Sequence, residues 1–230
     1  ANVFLPFNSD TNKYFLFHHT CDFNGFTYPS YQMFLTKIDL SLDNGKGGVI
    51  SKNDTIISDT LNWGIGACKH ANGRDWWVVM QKHNTDLLYT VLVTPYGVEQ
   101  ILTQHLNVPY AWYNASPLVF TLNGEKFSYF RYDNVTHSCT VQILNFDRCS
   151  GMFSNPQVVP VTNSTYLWSV SFSPSGQYLY ANTSTNLFQI NVNTLQVDTV
   201  ATYDGYCYQY NPNNFLCTTF FNEYLAANGK

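Results

Sequence analysis

Apolar and polar positions alternate along much of this chain in short runs, the period of two that marks a strand buried on one face. The run 187–192, Leu-Phe-Gln-Ile-Asn-Val, shows it clearly. No segment holds a helical period over three turns, so the pattern predicts strands almost throughout. One turn recurs between these runs. Asn72-Gly73-Arg74, Asn123-Gly124-Glu125, Ser175-Gly176-Gln177 and Asn228-Gly229-Lys230 set their glycines 51, 52 and 53 residues apart. Aromatic runs follow the first three turns, at 75–80, 127–132 and 178–181. Asn-Gly between apolar runs is a hairpin signal, because the turn needs a positive φ that Gly and Asn tolerate. A hairpin repeated about every 50 residues has the length of a four-stranded propeller blade.

The expected architecture is therefore all-β, a β-propeller of four-stranded antiparallel blades. The approximate blades are 1–60, 61–107, 108–163, 164–206 and a partial 207–230. Strands are expected at 64–70, 75–81, 87–94 and 98–102 in the second unit. The third should use 118–122, 127–132, 139–146 and 158–161, and the fourth 167–172, 177–181, 187–192 and 197–203. The first unit is looser, with strands near 12–17 and 32–40 and a glycine-rich loop at 45–48. An inner strand is expected at 215–221. Four units and a stump make an incomplete ring, and open sheets leave unpaired edges, so the chain reads as part of a longer protein, with a compact four- or five-bladed ring as the alternative.

Charge is sparse. Charged residues are 11% of the 230, against a globular norm of about 25%, while aromatics reach 17%. The net charge of −4 and the scatter of Lys and Arg argue against nucleic acid as a partner. No apolar stretch approaches the length of a membrane span. Uncharged polar and aromatic surface with abundant strand formers suits a secreted β-protein and excludes disorder.

Six cysteines suggest an oxidising compartment. Cys139 and Cys149 bracket a strand-like run whose extended length would hold them roughly 33 Å apart, too far to bridge. Cys207 and Cys217 flank a loop rich in Tyr, Pro and Asn that allows the chain to double back, so a disulfide there is open to it. Buried free thiols are the alternative for several of the six.

Several segments resemble the secreted, propeller-like N-terminal regions of large Bacteroidota surface proteins, with WD40-like repeats and type IX secretion. They are Asn12 through Phe17, the run His70-Ala71-Asn72-Gly73-Arg74-Asp75-Trp76-Trp77, the segment Asn145-Phe146-Asp147-Arg148-Cys149-Ser150-Gly151, and Phe172-Ser173-Pro174-Ser175-Gly176. The resemblance implies a cell-surface location and the propeller architecture, and supplies no catalytic residues. It also implies an O-glycosylation signal, Asp-Thr before an aliphatic residue, at Thr55, Thr60 and Thr199. Thr55 and Thr60 are expected in a polar loop after 45–48 and are the favoured acceptors; Thr199 falls within an expected strand and is less favoured. Asn-x-Ser/Thr sequons stand at Asn53, Asn114, Asn134, Asn163 and Asn182.

Catalytic chemistry is mostly missing from the sequence. The expected inner strands carry no Asp or Glu for a carboxylate pair. His18 and His19 are adjacent, so in a strand they face opposite sides and cannot share one ion. No metal or cofactor motif occurs. The candidate binding residues are His70, Arg74, Asp75, Trp76 and Trp77. For each there is a structural alternative: His70 as a satisfied structural group, Arg74 and Asp75 as a local turn pair, the tryptophans as inter-blade packing. The expected function is a non-catalytic extracellular module making protein or glycan contacts at the cell surface, with no cofactor. The alternative is a carbohydrate-active enzyme with loop-borne carboxylates such as Asp22, Asp133 or Asp204.

Overall fold

The computed structural model describes residues 1–7, 10–20, 30–108, 116–133, 136–162, 167–211, 214–217 and 219–221. Nearly all of the ordered elements are strands: β1 (Asn2–Phe7), β2 (Asp10–His19), β3 (Ser30–Asp39), β4 (Gly48–Lys69), β5 (Trp76–Lys82), β6 (Leu87–Thr94), β7 (Gly97–His105), β8 (Val119–Phe120), β9 (Lys126–Asp133), β10 (Ser138–Asp147), β11 (Met152–Thr162), β12 (Ser169–Phe172), β13 (Tyr178–Asn182), β14 (Asn186–Asn191), β15 (Val197–Thr202), β16 (Cys207–Asn211) and β17 (Asn214–Cys217). One short turn at Leu42–Gly45, with Asp43 and Asn44 in the left-handed region at φ 49° and 55°, interrupts them. All pairings are antiparallel, in the orders β1 to β7, β8 to β11, β12 to β15, and β16 with β17. These are consecutive four-stranded propeller blades, and the described sheets do not close into a ring.

The seven-stranded sheet is two blades sharing one strand. The first part of β4 pairs with β3, from Gly48 opposite Asp39 to Leu61 opposite Ser30. Its last part pairs with β5, from Leu61 opposite Lys82 to Lys69 opposite Trp76. One continuous strand is thus the outer edge of the first blade and the inner strand of the second. This corrects the expected loop around Thr55 and Thr60: both lie within β4. The polar run Lys52-Asn53-Asp54-Thr55 is exposed strand, with a register shift near the positive φ of Asn53. Polarity there reflects a solvent-facing edge and not a turn. The expected inner strand at 215–221 is also corrected, because Asn214–Cys217 instead closes a hairpin with β16.

The three glycine turns are equivalent. Each joins the first two strands of a blade, with Gly73, Gly124 and Gly176 at φ 71°, 71° and 69°. Gly73 N–H donates to His70 O, Gly124 N–H to Thr121 O and Gly176 N–H to Ser173 O, at 2.8–2.9 Å. One bond further out, the N–H groups of His70, Thr121 and Ser173 donate to the carbonyls of Asp75, Lys126 and Tyr178.

Alternation on the strands sends side chains to the neighbouring blade on either side. Trp76, Val78 and Met80 of β5 face the first blade's Phe7, Phe15 and Phe17. Trp77 and Val79 face Phe127, Phe146 and Phe153 of the third. Phe130 and Tyr132 of β9 pack on Phe172, Leu179 and Ile190 of the fourth. Each buried aromatic of this kind contributes roughly 1.5–3 kcal/mol. Inner strands approach closely where glycine allows: a Cβ on Gly64 would lie 2.3 Å from Ser116 O.

Candidate functional site

The segment 70–77 is built around Asn72. Its Oδ1 accepts the N–H groups of Arg74 and Asp75, both at 3.0 Å, and its Nδ2 donates to Asp75 Oδ2 at 2.7 Å. Arg74 completes the carboxylate's shell with Nε to Oδ1 at 2.7 Å and Nη2 to Oδ2 at 3.0 Å. Asp75 is buried while Arg74 is exposed. The Arg74 hydrogen bonds hold the Asp75 carboxyl below the usual carboxylate range, against the opposing pull of burial. That carboxylate is committed to the turn.

His70 accepts the Asn72 N–H at Nδ1, 3.0 Å, and its Nε2 meets Cys149 O at 3.3 Å. The tautomer protonated on Nε2 satisfies both. The His70 ring also lies 5.5 Å from that of Trp77. Trp77 is 1% exposed and donates from Nε1 to Arg148 O at 2.8 Å. Arg148 in turn donates to Asn123 O at 2.5 Å, and its carbonyl also accepts the Ala71 N–H. These bonds tie the second blade's turn to two turns of the third. Trp76 points the other way. It is half-buried, donates to Pro6 O at 2.9 Å, and carries the Lys69 ammonium 3.8 Å above its ring. The five predicted residues do come together: Arg74 and Asp75 bond within their own turn, whereas His70 Nε2, Trp76 Nε1 and Trp77 Nε1 reach across to the neighbouring blades.

The other candidates lie apart. Asp22 is outside the described residues, as are Asn114, Asn134, Asn163, and the turn at 228–230. Asp133 pairs with Arg131 at 2.9 Å and accepts the Thr136 N–H, while Asp204 accepts the Tyr206 N–H. His18 reaches Thr36 Oγ1 and His19 reaches Trp63 O, so the adjacent pair does diverge. Asn182 is fully buried and donates to Phe221 O, which closes that sequon to a glycan. Thr55 and Thr199 are exposed, Thr60 half-buried. Cys207 and Cys217 form a disulfide across the β16–β17 hairpin, where they are directly opposite. Cys68, Cys139 and Cys149 are free thiols. Burial pushes the Cys68 thiol up to about 12 and the Cys139 thiol to about 11.

Two polar clusters of the second blade escaped the sequence reading. Asp59 accepts from Lys82 Nζ at 2.7 Å and Tyr89 Oη at 2.5 Å. Burial raises the Asp59 carboxyl, but these two donors and the Thr60 N–H hold it below its ordinary value. Burial and the Asp59 charge push Tyr89 up to about 12. Asp86 pairs with His105 Nδ1 at 2.7 Å and accepts the Asn107 N–H. The partners stand 19 to 30 residues apart and meet only when β4, β5, β6 and β7 pair, so no local motif announces them. Among the described residues, no group of three or more His, Cys, Asp and Glu is placed to hold a metal ion. No helix there is long and apolar enough to cross a membrane.

The sequence matches no family model and no curated protein. Among solved structures, the chain is similar to a periplasmic gluconolactonase from Pseudomonas aeruginosa. The TM-score is 0.53 at 13% identity, covering 86% of this chain and 52% of that one. The fold is a β-propeller. TolB from Acinetobacter baumannii aligns with a TM-score of 0.46 at 11% identity, over 88% of this chain and 44% of its own. The chain thus spans about half the length of these propellers. At such identities the likeness concerns fold alone.

Proposed function

We propose that this is a non-catalytic propeller module that works outside the cytoplasm, making protein or glycan contacts at the surface of the cell that exports it. The observation that carries the reading is the exposure of aromatic groups on the β16–β17 hairpin and the turn before it. Tyr206, Tyr208, Tyr210 and Phe215 are exposed by 58%, 58%, 53% and 59%. Aromatic faces open to solvent stack on sugars and anchor protein interfaces. The Cys207–Cys217 bridge supports an oxidising compartment. The resemblance to Bacteroidota surface proteins supports type IX secretion, with exposed Thr55 and Thr199 as the better-placed O-glycan acceptors and Thr60 less accessible. Glycopeptide mass spectrometry of the native protein checks these threonines.

The decisive experiment pairs a glycan array and partner capture with a polysaccharide hydrolysis assay, all on the full source protein. Saturable binding without turnover upholds the reading. Hydrolysis that disappears in Asp22→Asn, Asp133→Asn or Asp204→Asn overturns it in favour of a carbohydrate-active enzyme.

A further inference from the structure

On the glycine-turn side, the second–third and third–fourth blade junctions are built from equivalent parts. In the third blade, Gly151 N–H donates to Asp147 O, and Cys149 N–H to Asp147 Oδ1. In the fourth, Leu195 N–H donates to Asn191 O, and Asn193 N–H to Asn191 Oδ1. Gly151 and Leu195 share the left-handed conformation at φ 74° and 61°. The residue facing this turn from the preceding blade also corresponds. Trp77 follows the His70–Asp75 turn by two residues, and Ser128 follows Thr121–Lys126 by two.

The contents of the two junctions differ. Trp77 and Arg148 fill the first. At the second their counterparts are Ser128 and Val192, and Leu195 replaces glycine. Leucine and valine do not restore the lost indole and guanidinium. A cleft of about 310 Å³, half open to solvent, lies at this junction with Val192 and Leu195 in its wall, within the size range of small-molecule sites.

Its walls are polar. Lys126 stands where the second blade has Asp75, and its Nζ donates to Asn145 Oδ1 at 3.0 Å. An ammonium has three donors, and Lys126 makes no ion pair among the described residues. Asn155, Gln157 and Asn193 add amides, and no lining residue is acidic. A register shift in the β10–β11 pairing between Ile143 and Asn145, with Asn155 at φ 51°, brings Asn155 and Gln157 to the same wall, where Gln157 Nε2 donates to Asn155 Oδ1. A bulge of this kind re-aims side chains at the expense of regular pairing. Ser128 Oγ, opposite the lining residue Ile143, is buried with no hydrogen-bond partner.

We propose that this cleft binds an acidic sugar unit, one carboxylate accompanied by hydroxyls, as found in a uronate. Lys126 takes the carboxylate, and the amides of Asn145, Asn155, Gln157 and Asn193, able to donate and accept, take the hydroxyls. The site deepens the binding-module reading and rests on it, naming one glycan class and one place.

The test is calorimetric titration of the full source protein with D-galacturonate, D-glucuronate, a short oligogalacturonate, D-glucose and acetate. Saturable uronate binding that weakens with salt is expected, with the oligomer binding at least as well as the monomers. Lys126→Met keeps the alkyl stem and should lower uronate affinity about tenfold or more. Asn155→Ala should weaken it less, and thermal melting checks that both variants fold. Equal affinity for glucose, equal affinity for acetate, an unchanged Lys126→Met or no saturable uronate binding each overturns the site. Glycan or protein binding that ignores Lys126→Met leaves the module reading standing while this site falls. Cleavage of the oligomer with a Lys126-dependent affinity leaves the site standing while the non-catalytic reading falls.

Discussion

The indole of Trp77 lies directly on the α-carbon of Gly151, where a Cβ would meet Cη2 of the ring at 2.7 Å. Trp77 belongs to the second blade and Gly151 to a turn of the third, so the contact fixes the spacing between them. Gly151 is at φ 74°, so glycine is required there twice, for conformation and for space.

Three glycine-to-alanine variants should separate those two requirements. Gly73 has positive φ but nothing within 4 Å of an added Cβ, so Gly73→Ala carries only the backbone penalty of roughly 1 kcal/mol. Gly124→Ala adds a contact at 2.8 Å with the Arg148 Cδ, a side chain held at its far end by Asn123 O. Gly151→Ala drives into a buried ring and should lose roughly 3 kcal/mol. Urea unfolding should rank them in that order; equal losses at all three would refute the packing account.

The tryptophans should behave unequally despite being neighbours. Trp77→Ala empties a fully buried site between blades and should cost about 3–5 kcal/mol. Trp76→Ala removes a half-buried ring capped by Lys69 and should cost less. Denaturation midpoints read the difference, and a larger loss at Trp76 would reverse the assignment of faces.

The blades were legible because their signals are local. Three turns carry glycine at one φ, and the strands after them alternate between two neighbouring blades. The continuity of β4 was not legible, because its exposed middle around Asn53 and Asp54 has the composition of a loop. The site residues split the same way. His70 through Trp77 stood out as a run, but that Cys149 and Arg148 would take up His70 Nε2 and Trp77 Nε1 depends on contacts more than 70 residues away. The cleft beside Lys126 was not legible either, because its walls come from β9, β10, β11 and the turn after β14, which meet only in the fold.

Acid should weaken the fold through its bonded carboxylates. Asp75 and Asp59 have folded values below the ordinary 3.8, so each contributes stability in full above that value. The contribution is lost as pH falls through the folded value and the carboxyl protonates. Asp75→Asn should therefore destabilise at pH 7, and its gap from the parent should close at pH values below about 4. Urea midpoints at pH 7 and pH 3 test this; a gap that widens in acid would contradict it.

Thiol labelling should follow burial. Cys149 is exposed in its turn, whereas Cys68 and Cys139 are buried with thiols raised to about 12 and about 11. Iodoacetamide at pH 8 should modify Cys149 well ahead of the other two, which react once the chain is unfolded. Peptide mapping of the labelled protein decides the order, and early modification of Cys68 would show that the second and third blades part more readily than their packing implies.

The Cys207–Cys217 bridge should hold its own hairpin and little else. Residues of β16 and β17 are almost all exposed, and none belongs to the three buried clusters. A crosslink that closes so short a loop is worth about 3 kcal/mol when the whole fold depends on it. Here the loop it closes lies outside the cooperative core, so the effect should stay local. Replacing both cysteines by serine should leave the main thermal transition within a few degrees of the parent. Amide exchange at 207–211 and 214–217 should accelerate strongly in the same variant. Should the main transition collapse instead, the hairpin would be shown to carry load for the blades.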